Sequence, residues 1–210
     1  MYGMVFRGRH IILAATCAAV LLFSCHTSRR DRPIDEPVIS SRNDKPLSTE
    51  AYIAKYKDLA VWQMHHFGVP ASITMAQAIL ESNSGNSELA KSAKNHFGIK
   101  CTSTWKGKTY LKDDEKNSEC FRMYSSEAES FQDHIDFLKR DRYAALFSLS
   151  SRDYKGWAKG LKKAGYATNP KYPDLLINLI DRYKLYELDN MKPGKHGKTA
   201  RAGDHNDIYN

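Results

Sequence analysis

The sequence lacks the features that mark several large classes of protein. It has four cysteines among 210 residues, and they do not show the paired spacing of a zinc site. It contains no glycine-rich phosphate loop and no serine nucleophile elbow. The apolar stretch at residues 11–23 is too short to span a bilayer comfortably. These absences argue against a zinc protein, a nucleotide-binding fold and a serine hydrolase.

The N-terminus has the order of an export signal. A basic start is followed by the apolar stretch, and a small residue, Ser24, precedes Cys25. This order predicts a signal peptide over residues 1–24 that is removed from the mature protein. Residues 22–25 also resemble the bacterial lipoprotein box, so we expect lipid on Cys25 and an exported, membrane-anchored protein facing the periplasm or cell envelope. The alternative is a secreted protein that is cleaved elsewhere.

Two cysteines, Cys101 and Cys120, remain in the mature chain once Cys17 leaves with the signal and Cys25 carries lipid. Export permits oxidation, so we predict one disulfide, which would contribute about 3 kcal/mol by the loop-entropy model. The alternative is a thiol nucleophile with His96 as its base.

Basic residues exceed acidic ones, and the formal net charge is +8. A basic domain suits an anionic polymer. Because an export signal argues against nucleic acid, an anionic cell-wall glycan or its stem peptides is the partner that fits both observations.

The chain divides into one folded domain with polar ends. Residues 25–48 carry prolines and charges without apolar periodicity, which predicts a tether, and residues 189–210 predict a disordered tail. The domain is expected at 49–188. Apolar spacing and capping signals predict helices near residues 53–67, 71–82, 86–93, 126–138, 153–164 and 173–183. A period near two over 97–124 predicts a β-hairpin, so the fold class is mainly α with a small β-lobe.

Glu81 is the first candidate for chemistry. It follows a nearly apolar segment, residues 73–80, and so lies at the C-terminal end of a buried helix. Desolvation and the negative end of the helix dipole both disfavour its charged form, so its pKa should be raised. A carboxylic acid that keeps its proton near neutral pH is what a general acid in glycosidic cleavage requires. The alternative is a surface glutamate at a frayed helix end.

A second acidic cluster, residues 113–115, falls in the predicted hairpin. Asp113, Asp114 or Glu115 would supply the second carboxylate that most glycosidases use, although a solvated acidic turn explains any single member equally well. Tyr166 follows a helix stop, where side chains tend to face solvent or ligand. Further aromatics are candidates for stacking on sugars, or for the core; they include Trp105, Tyr124 and Tyr172.

Several segments together resemble glycoside hydrolase family 73, the endo-β-N-acetylglucosaminidases of bacteria. The resemblance covers essentially all of residues 50–187, and its segments are residues 76–85, 95–100, 105–107, 121–134 and 165–170. It implies a lysozyme-like α-helical fold with a β-lobe that acts on peptidoglycan. We expect a monomer that needs no metal or organic cofactor.

The resemblance also implies roles for particular residues. The glutamate at the position of Glu81 is the general acid of the family, and the tyrosine at the position of Tyr166 is associated with substrate binding or catalysis. Asn83 and Phe97 lie in the matching segments and join the candidates for substrate binding. The sequence departs from the family in offering three hairpin carboxylates, with Asp114 or Asp113 favoured as the base that activates water. The alternatives are a muramidase or lytic transglycosylase of the same fold, or a non-catalytic wall-binding lipoprotein.

Overall fold

The computed structural model describes residues 45–114 and 117–194, with the backbone alone at residues 113, 114 and 117. The predicted signal peptide, Cys25 and most of the predicted tether and tail lie outside these residues. Helices dominate the described part, and one antiparallel hairpin joins them, so the predicted fold class is confirmed. The elements are α1 Thr49–Phe67, α2 Ala71–Ser82, α3 Glu88–Ala93, β1 Thr109–Asp114, β2 Asn117–Arg122, α4 Glu127–Leu138, a 3₁₀ helix Asp141–Ser148, α5 Tyr154–Lys163, α6 Tyr172–Arg182 and a second 3₁₀ helix Leu185–Asn190.

Helix α2 is the central element of the domain. Nearly all of its side chains are buried, and Ile73 and Met75 have no exposed surface. Burying one such side chain stabilises the fold by about 1.5–3 kcal/mol. The helix packs against α1, α6 and the second 3₁₀ helix. Its bounds and its central position are those that the sequence predicts.

A sharp reversal ends α2 directly after Glu81 and Ser82. Asn83, Ser84 and Gly85 have φ values of 52°, 54° and 76°. The backbone N–H groups of Asn83 and Ser84 both donate to the carbonyl of Ile79. A left-handed conformation costs a non-glycine residue about 1–2 kcal/mol. At Gly85 a Cβ atom would also lie 2.9 Å from the ring of Tyr52. The end of the helix that carries Glu81 is therefore fixed by local geometry.

The other end of α2 is capped from the C-terminal part of the chain. Asp189 accepts hydrogen bonds from the backbone N of Ser72 at 2.9 Å and from its hydroxyl at 2.6 Å. Met191 accepts one from His65 at 2.8 Å. The folded region thus extends past the predicted boundary at residue 188. The prediction missed this because a polar residue at a chain end resembles a tail unless its distant partner is known.

The predicted tether also ends earlier than expected. The backbone N of Leu47 donates to Asn86 Oδ1 at 2.8 Å, and Asn86 Nδ2 donates to the carbonyl of Leu47 at 2.9 Å. This reciprocal pair fixes the chain just before α1, whose N-terminus is capped by Ser48.

The hairpin pairs Thr109 with Arg122 at one end and Asp114 with Asn117 at the other. The predicted disulfide Cys101–Cys120 is present, with its Cα atoms 5.4 Å apart. It joins the segment before β1 to β2. Among residues 97–101, Lys100 forms a bridge with Phe121 of β2, and backbone hydrogen bonds join Ile99 to Arg122 at 3.0 Å and Cys101 to Cys120 at 2.9 Å.

Capping contacts and left-handed glycines are present at the ends of several predicted helices. Ser126 accepts from the backbone N of Glu129 at 3.2 Å, and Asp153 accepts from that of Gly156 at 2.8 Å. Gly68 and Gly165 end their helices with φ values of 84° and 77°. Within the described ranges, no helix combines the length and the apolar character needed to cross a membrane.

Candidate active site

A groove with a volume of about 660 Å³ opens at the C-terminal end of α2. Its size is in the range of small-ligand clefts. Four parts of the fold meet there: the end of α2, the loop before the hairpin, the end of α4 and the segment that leads into α6. The lining residues are Leu80, Glu81, Phe97, Gly98, Ile99, Lys100, Cys101, Thr102, Phe137, Arg140, Tyr166, Ala167, Thr168, Asn169, Tyr172 and Leu175.

Glu81 lies in the last turn of α2 and presents its carboxyl group to this groove. Its side chain remains exposed to solvent, but the surrounding groove walls displace part of the water around the carboxyl group. This desolvation raises the pKa of Glu81, and a hydrogen bond from Tyr172 opposes the rise. The direction agrees with the sequence prediction, and desolvation is the first cause.

Tyr172 connects Glu81 to the interior. Its ring is buried, with 3% of its surface exposed, and its hydroxyl donates to Glu81 Oε1 at 3.1 Å. The hydroxyl oxygen of Tyr172 in turn accepts a hydrogen bond from Gln77 Nε2 at 3.0 Å. Tyr172 was predicted as a sugar-stacking residue; it lines the groove, and its hydroxyl bonds to the carboxyl group of Glu81.

Tyr166 forms the wall beside Tyr172. The two rings stack with centroids 5.6 Å apart and planes 26° from parallel. Lys162 fixes the following turn by donating to the carbonyls of Ala167 at 3.0 Å and Thr168 at 2.8 Å. Burial and the nearby charge of Glu81 raise the pKa of Tyr166 well above its ordinary value, so the phenol stays neutral.

The opposite wall is the loop that precedes the hairpin. Asn95 holds it: the side-chain amide donates to the carbonyls of Ile99 and Arg122, both at 2.9 Å, and its oxygen accepts from the backbone N of Ile99 at 3.0 Å. Phe97 points into the core of this wall and keeps 4% of its surface exposed. The disulfide at Cys101 fixes the far end of the same loop.

Two cations lie on the groove walls. Lys100 Nζ pairs with Glu119 at 2.6 Å, and the guanidinium of Arg140 lies over the ring of Phe137 at 4.3 Å. Among the described side chains that line the groove, Glu81 is the one acidic residue. The groove is therefore basic apart from its candidate acid, which suits an anionic substrate.

Three predicted substrate-binding residues do not line the groove. Tyr124 is buried and donates its hydroxyl to Asp133 at 2.5 Å. Trp105 lies at the base of the hairpin with the guanidinium of Arg122 over its ring at 4.5 Å. Asn83 is the left-handed residue that ends α2. In these positions the three residues make structural contacts, and their part in substrate binding stays a prediction.

The structure describes the hairpin carboxylates Asp113 and Asp114 by their backbone alone. Asp113 and Asp114 are the last residues of β1, near the tip of the hairpin, and Glu115 lies outside the described residues. The alternative of a thiol nucleophile is excluded because Cys101 and Cys120 are bonded to each other, and Nδ1 of His96 bonds to the hydroxyl of Tyr52 at 2.7 Å. Across residues 45–114 and 117–194 no group of three or more His, Cys, Asp or Glu is placed to hold a metal ion.

The sequence reasoning missed Gln77, Lys100 and Arg140. Gln77 precedes Glu81 by four residues, so helical spacing alone places the two on one face of α2. No comparable signal marks Lys100 or Arg140, because their place on the groove depends on how the loop and α4 pack.

Comparison with known proteins gives a consistent set of relatives. A family model described as mannosyl-glycoprotein endo-beta-N-acetylglucosaminidase matches residues 57–185. The exo-glucosaminidase LytG of Bacillus subtilis (strain 168) is 33% identical over 174 residues, which make up 77% of this chain and 60% of that protein. The peptidoglycan hydrolase FlgJ of Escherichia coli (strain K12) is 33% identical over 152 residues, 66% of this chain and 48% of that protein. The chain thus spans about half to three fifths of the length of these curated relatives.

Solved structures agree on the fold. The crystal structure of a peptidoglycan hydrolase from Sphingomonas sp. A1 has a TM-score of 0.58 and 33% identity, covering 66% of this chain and 92% of that one. The glycoside hydrolase domain of FlgJ from Salmonella typhimurium has a TM-score of 0.57 and 31% identity, covering 74% and 96%.

Proposed function

Because the chain belongs to the glucosaminidase family of glycoside hydrolases, whose model matches residues 57–185, we propose that it hydrolyses peptidoglycan. The bond is the β-1,4 linkage between N-acetylglucosamine and N-acetylmuramic acid. The relatives named as peptidoglycan hydrolases support this substrate. The observation that carries the proposal is the position of Glu81 on a groove of about 660 Å³ with a raised pKa.

Glu81 is the proposed general acid. Cleavage requires a proton on the leaving glycosidic oxygen as the bond from that oxygen to the anomeric carbon breaks. A carboxyl group whose charged form is desolvated keeps its proton closer to neutral pH and can supply it. The hydrogen bond from Tyr172 holds the carboxyl group in place and keeps the pKa from rising further.

The stacked pair of Tyr166 and Tyr172 offers one apolar wall for the sugar. Tyr166 is the outer ring of the pair, and we assign it to holding the N-acetyl sugar beside Glu81. Phe97 on the facing loop lines the same groove. Ring faces suit the apolar face of a pyranose, while its hydroxyl groups remain free for polar contacts.

A hairpin carboxylate, Asp114 or Asp113, is the proposed base. It would take a proton from water as the water oxygen bonds to the anomeric carbon. The position of both residues at the end of β1 leaves them on the hairpin that follows one groove wall. If the N-acetyl group of the substrate assists instead, no second carboxylate is required.

The cations on the groove suit the anionic polymer of the cell wall. Lys100 and Arg140 lie on its walls, and the whole chain carries a net charge of +8. An envelope location follows from this substrate. We further propose that lipid on Cys25 anchors the enzyme, which a Cys25→Ser variant tests by loss of palmitate labelling.

The test of the function compares Glu81→Gln with Glu187→Gln on purified peptidoglycan. Glu187 is exposed on the second 3₁₀ helix and does not line the groove. General acid catalysis contributes about 10²–10⁴-fold, so Glu81→Gln should lose at least about 100-fold in rate while it stays folded and Glu187→Gln stays active. A folded and active Glu81→Gln protein would refute the assignment.

Mass spectrometry of the products decides between the related activities. N-acetylglucosamine at the new reducing end supports the proposal, whereas muramic acid there indicates a muramidase and an anhydro end indicates a transglycosylase. Wall binding without any product would indicate a non-catalytic wall-binding protein.

A further inference from the structure

A chain of hydrogen bonds runs from the interior of α4 to the candidate acid. His134 Nε2 bonds to Gln77 Oε1 at 3.1 Å. Gln77 Nε2 donates to the hydroxyl of Tyr172 at 3.0 Å, and that hydroxyl donates to Glu81 Oε1 at 3.1 Å. Gln77 and His134 have no exposed surface, and neither lines the groove. Neither residue is therefore placed to touch a bound sugar.

The donors and acceptors in this chain of hydrogen bonds are arranged in one direction. Because the amide nitrogen of Gln77 donates to Tyr172, its oxygen must accept, and His134 must carry its hydrogen on Nε2. Every hydrogen in the chain then points toward Glu81. Hydrogen bonds aligned in this way polarise one another, so the donation to Glu81 is stronger than that of a lone tyrosine.

Reversing the chain would deprive Glu81 of its donor. With the amide of Gln77 turned over, Tyr172 would donate to Gln77, and the hydrogen of His134 would move to Nδ1. In the described part of the chain, Nδ1 of His134 is buried and has no partner. A buried N–H without an acceptor is rare in proteins, so the environment of His134 selects the direction toward Glu81.

His134 is kept neutral and fixed by its neighbours. Its ring stacks on Phe97 with centroids 3.9 Å apart and planes 10° from parallel. It meets the ring of Tyr166 edge-on at 6.3 Å. Burial lowers the pKa of His134 to about 3, so the imidazole carries one hydrogen throughout the physiological range. Both of these ring neighbours line the groove. The hydrogen-bond chain therefore contacts the groove walls as well as Glu81.

We propose that Gln77 and His134 are positioning residues that fix the hydroxyl hydrogen of Tyr172 on Glu81 and thereby set the pH range in which Glu81 acts. The proposal rests on the proposed role of Glu81 as the acid. Donation to the carboxylate favours its charged form. Without Gln77 or His134, Tyr172 donates less effectively, the pKa of Glu81 rises, and activity persists to higher pH.

The other titratable and charged groups of the groove that holds Glu81 remain unchanged in this comparison. Among the described residues they are Tyr166 and Tyr172 at one wall and Lys100 and Arg140 at the others. Because the variants below alter neither these residues nor the net charge, a shift in the pKa of Glu81 reports the hydrogen-bond chain.

The experiment measures the pKa of Glu81 directly, by ¹³C NMR of protein labelled at the glutamate carboxyl carbons. The resonance is identified by its absence in Glu81→Gln. The pH profile of kcat/KM on soluble peptidoglycan strands is recorded in parallel. Gln77→Met and His134→Met each interrupt the series of hydrogen bonds that leads to Glu81, with little change in side-chain volume. His134→Gln restores a donor, because its side-chain amide can reach Gln77.

Gln63→Met is the matched control. Gln63 is a buried glutamine on α1 whose side-chain oxygen has no partner among the described residues. It takes no part in the hydrogen bonds that lead to Glu81. Gln77→Met and His134→Met should raise the pKa of Glu81 and move the alkaline limb of kcat/KM upward by about 0.5–1 pH unit. His134→Gln should return both toward the values of the unaltered protein, and Gln63→Met should change neither.

An unchanged pKa of Glu81 in folded Gln77→Met or His134→Met overturns the proposal, as does an equal shift in Gln63→Met. If Gln77→Met fails to fold, the comparison of His134→Met with His134→Gln decides. The NMR measurement needs no turnover. If the protein is inactive on peptidoglycan and these pKa shifts still occur, the proposed function is contradicted. The positioning roles of Gln77 and His134 are then supported.

Discussion

The hydroxyl of Tyr172 donates to Glu81 Oε1 at 3.1 Å, although the two residues lie on different helices and 91 positions apart in the chain. Their approach brings the end of α2 and the start of α6 together at the groove. The bond favours the carboxylate, while desolvation favours the acid. The pKa of Glu81 therefore depends on the balance between these two effects.

Tyr172→Phe tests this balance. The variant removes the hydroxyl and keeps the ring that stacks on Tyr166. We expect kcat/KM to fall by about 10- to 100-fold at its optimum, because a hydrogen bond to a charged group contributes about 1.5–3 kcal/mol and positions the acid. The alkaline limb of the pH profile should move upward. Tyr186→Phe, at an exposed tyrosine, is the control, and an unchanged profile in Tyr172→Phe would show that the bond has no catalytic effect.

Substitution of the hairpin carboxylates tests the source of the base. Asp114→Asn or Asp113→Asn should lower kcat by at least about 100-fold with little change in KM, because activation of water is lost while binding remains. Glu115→Gln completes the series, and Asp136→Asn, at an exposed aspartate on α4, is the control. Should all three single variants and the triple variant retain nearly full activity, assistance by the N-acetyl group of the substrate would replace the proposed base.

Asp189 makes the stability of the domain depend on pH. Burial raises its pKa to about 6, against the opposing hydrogen bonds from Ser72. Because the folded state binds the proton more tightly than the unfolded chain, this group stabilises the fold fully below about pH 4 and loses that contribution as pH rises through about 6.

Asp189→Asn removes this dependence and keeps both contacts, since the amide oxygen can accept from Ser72 N and the amide nitrogen can donate to Ser72 Oγ. Urea unfolding at pH 4 and pH 7 should show that the variant gains stability relative to the unaltered protein as pH rises. Asp174→Asn, at an exposed aspartate, should show no such gain. The same difference in free energy of unfolding at both pH values would contradict the prediction.

Helix α2 and Glu81 were predictable because their signals are local. The apolar run at residues 73–80 and the polar, glycine-containing reversal after Ser82 lie in one short segment. The caps at Ser126 and Asp153 are local in the same sense.

The contacts that complete the site are of another kind. Gln77 meets Tyr172 across 95 positions and His134 across 57, and Asp189 reaches Ser72 across 117. Spacing within a single element says nothing about such pairs. For the same reason Tyr124 and Trp105 were indistinguishable by sequence from groove aromatics: only packing shows that Tyr124 pairs with Asp133 and Trp105 with Arg122.

Arg140 is the groove cation best placed to recognise a negative charge on the substrate. Its guanidinium lies over Phe137, and its side chain is exposed on the wall, whereas Lys100 is already paired with Glu119. An exposed ion pair contributes about 0.2–1 kcal/mol and weakens with salt. Arg140→Gln should therefore raise KM for peptidoglycan strands that carry stem-peptide carboxylates by about two- to fivefold. It should also reduce the dependence of KM on ionic strength.

Neutral oligomers of N-acetylglucosamine separate charge recognition from shape. Because they carry no carboxylate, any turnover or binding that the protein shows with them should be the same in Arg140→Gln as in the unaltered chain. Arg152→Gln, at an exposed arginine outside the groove, controls for the change in net charge. An equal loss on charged and neutral substrates would mean that Arg140 acts by packing on Phe137, since the removal of a wall residue affects every sugar that occupies the groove.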